Sequence, residues 1–226
     1  MRRYIFAVIL GLGGIAILLS LGFWQLRRLE WKEALLAAIE AKIGAAPVAL
    51  KTIGAPDAAS QRYLPVTATG RTTGPELLVL SGKKDQGAGY EVIAAFETAG
   101  GRRILLDRGF IPEVVRATVR PPVALAITGN LDWPAEADSY TPPPDAATNL
   151  WFARDVTAMA KSLGTDPLLV VIRTAEGDSQ AIVPVPVDTA GIPNDHLQYA
   201  ITWFSLAAVW AGMTAYLLWR IRQRTV

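Results

Sequence analysis

Two long runs without a charged side chain bracket the sequence, and the stretch between them is broken and largely alternating. The first run extends from Tyr4 to Trp24 and the second from Ala200 to Leu218. A helix rises about 1.5 Å per residue, so each run is long enough to cross the roughly 30 Å hydrocarbon core of a bilayer. A cleaved signal peptide has a shorter apolar region, followed by small residues and a polar start. The first run ends instead in Trp24-Gln25-Leu26-Arg27-Arg28, the pattern of a retained span with an interfacial tryptophan. These limits predict transmembrane helices at residues 4–24 and 199–219, with a domain of residues 25–195 between them. Gly11 and Gly14 lack the Gly-x-x-x-Gly spacing, so the run predicts no helix dimer.

After Trp24 the apolar period stays helical. Leu26, Leu29, Leu36, Ile39 and Ile43 recur every three or four residues until Gly44 and Pro47. The sequence then turns to short runs rich in β-branched and aromatic residues, separated by Gly-Pro, Gly-Gly and Pro-Pro. Strands are predicted at 62–70, 76–81, 90–98, 103–110, 123–131, 149–154 and 168–174. One short helix, 155–163, has Asp155 as its N-cap and Gly164 as its stop. Regular strand spacing with little intervening helix favours an antiparallel sheet curling toward a barrel. The fold class is therefore membrane α+β, with two transmembrane helices flanking an extracytoplasmic barrel-like β-domain that carries a few helices.

Charge sets the orientation. Arg220, Arg222 and Arg224 follow the second run, and no lysine or arginine lies between Arg173 and that run. The positive-inside rule then places the C-terminus in the cytoplasm. The first run gives no clear signal, because Arg27, Arg28 and Lys32 balance Arg2 and Arg3. Two spans put both termini on one side, so residues 25–195 face the periplasm of a two-pass inner-membrane protein. A net charge of only +2, with basic residues gathered at span ends, argues against nucleic acid and for the lipid bilayer. The chain has no cysteine, which excludes disulfides, zinc thiolates and thiol-based copper transfer.

Catalytic patterns are absent: there is no Gly-x-Ser-x-Gly, no P-loop and no Gly-x-Gly-x-x-Gly. Adjacent Asp107 and Arg108 on a strand point to opposite faces and do not converge on one substrate. Glu91 and Asp107 are candidates for paired acid–base work, but nothing in the sequence aims them at each other. The chain reads as a non-enzyme. Its single histidine, His196, stands just before the second run. Two readings stay open: an interfacial polar residue at a helix start capped by Asn194 or Asp195, or an axial ligand to a haem iron. In the second reading Trp24, Tyr199 and Trp203 supply flat apolar walls. Arg27, Arg28 and Arg108 are propionate partners by charge alone, and Arg27 and Arg28 equally suit lipid phosphates.

Five motifs resemble a known family. Gly22-Phe23-Trp24-Gln25-Leu26-Arg27-Arg28-Leu29-Glu30-Trp31-Lys32 and Asn194-Asp195-His196-Leu197-Gln198-Tyr199-Ala200-Ile201-Thr202-Trp203-Phe204 look like the first and last signatures of the Surfeit-locus (Surf-one) cytochrome oxidase assembly factors. Gly87–Val92, Asp107–Pro112 and Asn149–Asp155 fall between them in the family's order. Ile93-Ala94-Ala95-Phe96 departs from it, since the family often carries a proline there. The resemblance implies an assembly factor for aa3-type haem-copper cytochrome c oxidase, acting as a chaperone in respiratory-chain biogenesis. It implies haem a as cofactor, the iron meeting His196, with Trp24 in the pocket. It also implies oxidase subunit I and haem a synthase as partners. The alternative is a scaffold that stabilises subunit I without binding haem.

Overall fold

Asp155 and Gly164 behave as their chemistry requires, and the helix between them shows how the sheet domain is covered. In the computed structural model, which describes residues 2–83, 86–177 and 180–223, α3 (Val156–Leu163) starts where the Asp155 carboxylate accepts the Ala158 N–H at 3.0 Å. It stops at Gly164, whose φ of 63° is a left-handed conformation. Met1 and Arg224 lie outside the described residues. The chain divides into two units: one up to Ala38 and again from Thr189, the other from Ile39 to Asp188.

The first unit is built from the two apolar helices. The predicted span and its amphipathic continuation are one helix, α1 (Arg2–Ile43), because no glycine cap or proline occurs before Gly44 and Pro47. The last helix, α4 (His196–Gln223), begins at the histidine itself. Both are long and apolar enough to cross a membrane. Their apolar side chains are not packed away as in the core of a water-soluble protein; Phe6 and Ile9 are each 67 % exposed. The helices run antiparallel along a seam of small residues, with Ala7, Gly11, Gly22 and Gln25 buried on α1 and Ala200 and Ala207 on α4. A Cβ on Gly11 would lie 2.2 Å from Thr214 Cγ2, and one on Gly14 2.3 Å from Trp210 Nε1. These glycines therefore serve packing within the chain. Trp210 Nε1–H donates to the Gly11 carbonyl at 3.2 Å, and the Phe23 and Phe204 rings meet edge to face at 5.3 Å.

The second unit is a sheet that closes on itself. Its strands are β1 (Val48–Ala49), β2 (Pro65–Lys83), β3 (Gly87–Thr98), β4 (Arg103–Pro112), β5 (Ala124–Asp132), β6 (Leu150–Trp151) and β7 (Leu169–Gly177); a single turn, α2 (Ala58–Gln61), precedes β2. The order is β1-β2-β3-β4-β7-β5, and β5 pairs back onto β2. The long pairings of β2 with β3 and β5, β3 with β4, and β5 with β7 are antiparallel. β1 and β6 pair with β2 in parallel, and β4 and β7 also run parallel, with Leu105 opposite Leu169. The strands expected at 62–70 and 76–81 are one strand. Gly74-Pro75 is absorbed as an irregularity between Thr73 and Glu76, because an out-of-register proline costs the ladder a single donor. The strand expected at 149–154 shrinks to β6, since Ala153 and Arg154 already form the approach to α3. Val66, Phe96, Ile104, Leu106, Leu125, Ile127, Val170 and Ile172 fill the inside. On the outer face Leu77, Val79, Ile93, Leu105 and Val171 pack against Val156, Met159, Ala160 and Leu163 of α3.

Candidate functional site at the start of the last helix

His196 opens α4, and the heptad-like seam of α1 brings Gln25 opposite it. The imidazole Nδ1 and the Gln25 Oε1 are 2.8 Å apart. Gln25 is only 8 % exposed, whereas Trp24, one residue earlier, is 51 % exposed and lies off the seam. An amide oxygen only accepts, so this contact suits a ring that carries a proton on Nδ1. Trp203 lies seven residues after His196, two turns along the same face of α4, and is half-buried. Tyr199 lies one turn after His196 and is 55 % exposed. Arg27 and Arg28 are both exposed, and the Arg28 guanidinium stacks 4.1 Å above the Trp31 ring. The partner that the fold brings to His196 is therefore Gln25. Among the described residues the buried Asn194 Oδ1 has no hydrogen-bond partner, so this atom does not cap α4.

A second cluster belongs to the sheet unit. Ile93 pairs with Asp107 across β3 and β4, so Glu91, two residues before Ile93, shares Asp107's face. Arg154, the residue before the α3 cap, lies between them: its Nη1 is 3.1 Å from both Glu91 Oε2 and Asp107 Oδ2. Its other nitrogens engage Glu136. Three carboxylates thus share one guanidinium. Burial, then the neighbouring Glu91, pushes the Asp107 carboxyl up to about 7 against the pull of Arg154. Burial also raises Glu136, but hydrogen bonding and charge from Arg154 outweigh it and leave Glu136 below its ordinary range. Burial lowers Arg154, and the three carboxylates more than reverse that.

Arg108 falls at a bulge in β4 and turns to the opposite face. There it meets Glu76 Oε1 at 2.5 Å and Gln180 Oε1 at 2.9 Å, while Arg120 Nε holds Glu76 Oε2 at 2.6 Å. Asp107 and Arg108 serve separate clusters, as their adjacency on a strand implies. An open cavity of about 960 Å³ lies elsewhere on this unit, lined in part by Lys51, Thr67, Arg102, Thr128 and Glu176. Neither charged cluster lines it. Among the described residues no three histidine, cysteine or carboxylate side chains converge as a metal site.

The SURF1 family model matches residues 12–208, which takes in both apolar helices' facing ends and the whole sheet unit. The chain belongs to the SURF1 family. It is similar to the SURF1-like protein of Monosiga brevicollis, 33 % identical over 88 % of this chain and 82 % of the relative. It is also similar to the SURF1-like protein of Rickettsia conorii, at 31 % identity over 93 % of this chain and 89 % of that one. Surfeit locus protein 1 of Xenopus tropicalis is 29 % identical over 84 % of this chain and 68 % of its own length. In this SURF1 family member Gln25 is the residue beside His196 that the sequence pattern leaves unassigned. Its signal is a polar amide inside Phe23-Trp24-Gln25-Leu26, in register with Gly11 and Gly22. Arg154 gave less notice, since only the folded sheet brings Glu91, Asp107 and Glu136 around it.

Proposed function

We propose that this SURF1 family member is an assembly factor for aa3-type haem-copper cytochrome c oxidase, binding haem a and assisting its insertion into subunit I. The observation that carries this reading is the His196 imidazole held by a buried Gln25 at the start of the last helix. The residues present fit the group. Nδ1 of His196 faces Gln25, which leaves Nε2 for a ligand, the ring is half-buried, and aromatic residues lie along the same helix. Haem a would supply an iron able to take an imidazole nitrogen. His196 would hold it, with Gln25 orienting the ring. Trp203, Tyr199 and Trp24 offer apolar surface to a porphyrin, and Arg27 and Arg28 offer positive charge to its propionates. The chain has one histidine, so a second imidazole ligand, were the iron to take one, would have to come from another chain.

The two apolar helices and their exposed side chains support a membrane assignment. In this reading the protein passes twice through the cytoplasmic (inner) membrane, with both termini cytoplasmic and the sheet unit periplasmic. Oxidase subunit I and haem a synthase are its partners. The test is the visible spectrum of the full chain, purified in detergent from cells that make haem a. A haem a spectrum lost in His196→Ala supports the reading. A colourless wild type that co-purifies with subunit I, and still does so as His196→Ala, overturns haem binding in favour of a scaffold.

A further inference from the structure

We propose that Gln25 is a positioning residue that fixes the tautomer of His196, keeping the proton on Nδ1 and presenting Nε2 as the free nitrogen. What Nε2 meets rests on the haem-binding reading; the state of the ring does not. An imidazole with no fixed partner exchanges between its Nδ1–H and Nε2–H forms, whereas an acceptor at one nitrogen selects one of them. Gln25 is placed to be that acceptor. It is 8 % exposed, and the nearest polar residues along α1, Arg27 and Arg28, point to the outside. A buried amide is costly unless it is hydrogen-bonded, and its oxygen lies 2.8 Å from Nδ1.

Backbone register enforces the contact. Gln25 continues the buried seam of Ala7, Gly11 and Gly22, so a one-residue rotation of α1 would bring Trp24 or Leu26 to the histidine instead. Farther along, Phe23–Phe204 and Trp210–Gly11 hold the same two helices together. Loss of the Gln25 amide therefore leaves the pairing of the helices in place and removes the amide oxygen that faces the ring.

The chain makes the test direct, because it contains a single histidine. The full chain, labelled with ring-15N histidine and held in detergent micelles without haem, gives one pair of imidazole nitrogen signals. At a pH where the ring is neutral, the wild type is expected to show a protonated Nδ1 and an unprotonated Nε2. Gln25→Leu is expected to show the averaged shifts of exchanging tautomers, and Gln25→Glu, which keeps an acceptor, to retain the wild-type pattern. A wild type protonated on Nε2, or identical shifts in wild type and Gln25→Leu, overturns the proposal.

A second arm titrates haem a into the same preparations. Loss of an outer partner of a ligating histidine typically costs about 10–100-fold in affinity, and that weakening is expected in Gln25→Leu but not in Gln25→Glu. Equal affinity in wild type and Gln25→Leu overturns the presentation of Nε2. A wild type that takes up no haem while its Nδ1 is protonated overturns the haem-binding reading and leaves the positioning role supported.

Discussion

Replacing Asp107 by asparagine should remove a pH-dependent weakness from the sheet unit. Asp107 is 1 % exposed and faces Glu91 from β3, Arg154 from the approach to α3 and, through Arg154, Glu136 from the loop after β5. Its oxygens also accept the Gly109 N–H at 3.0 Å. The folded protein holds a proton here up to about pH 7, whereas the unfolded chain releases it near 3.8. Between those values the native state binds more protons than the unfolded state, so stability falls as pH rises through the window and levels off above it. Each tenfold change in proton affinity is worth about 1.4 kcal/mol, which sets an upper bound of roughly 4 kcal/mol. Sharing of Arg154 with Glu91 makes about 2–4 kcal/mol the expectation.

The assay is unfolding of the full chain in detergent, followed by amide exchange at β3 and β4, from about pH 4 to pH 8. Carboxylates held below their ordinary range, such as Glu136 and Asp145, produce the opposite slope at the acid end. The quantity to read is therefore the wild type minus Asp107→Asn. That difference should grow in favour of the variant from pH 4 to pH 7 and then stay constant. A difference that does not change with pH would refute the reasoning.

Three further substitutions test the sheet unit. Arg154→Met leaves three carboxylates without their shared guanidinium and should destabilise the sheet unit by about 3–5 kcal/mol near neutral pH, measured by the same exchange experiment. Asp155→Ala removes the carboxylate that caps α3 and should cost about 1 kcal/mol, read as faster exchange of the first-turn amides, Ala158 above all. Asn130→Ala strips the Ile43 and Tyr63 carbonyls of a buried donor that holds each at 3.0 Å. It should lower the stability of the sheet unit by about 1–3 kcal/mol in urea unfolding.

The two apolar helices were legible because charge is absent over a full span, a signal that later packing does not override. The α3 limits were equally plain, since an aspartate cap and a left-handed glycine act locally. Gly74-Pro75 misled for the converse reason: a turn signal yields when a long strand has partners on both sides to hold it. The parallel pairing of β4 with β7 left no local trace, because strand direction depends on a connection that spans β5 and α3. At the candidate site the histidine stood out by being alone, and Trp24 by its size. Gln25 was hidden between two more conspicuous neighbours, and only the seam shows which of the four consecutive residues Phe23 to Leu26 turns inward.

The closed sheet also imposes an order on how the protein comes into being. β7 is the last strand to be synthesised, yet it lies between β4 and β5, pairing Leu169 with Leu105 on one side and Asp132 on the other. Until it emerges, the nascent chain exposes two unsatisfied strand edges along an apolar interior. Such edges invite pairing with other chains, and contacts this distant in sequence form slowly. A premature stop before Leu169 would therefore yield an aggregating fragment, while one after Gly177 would still complete the barrel.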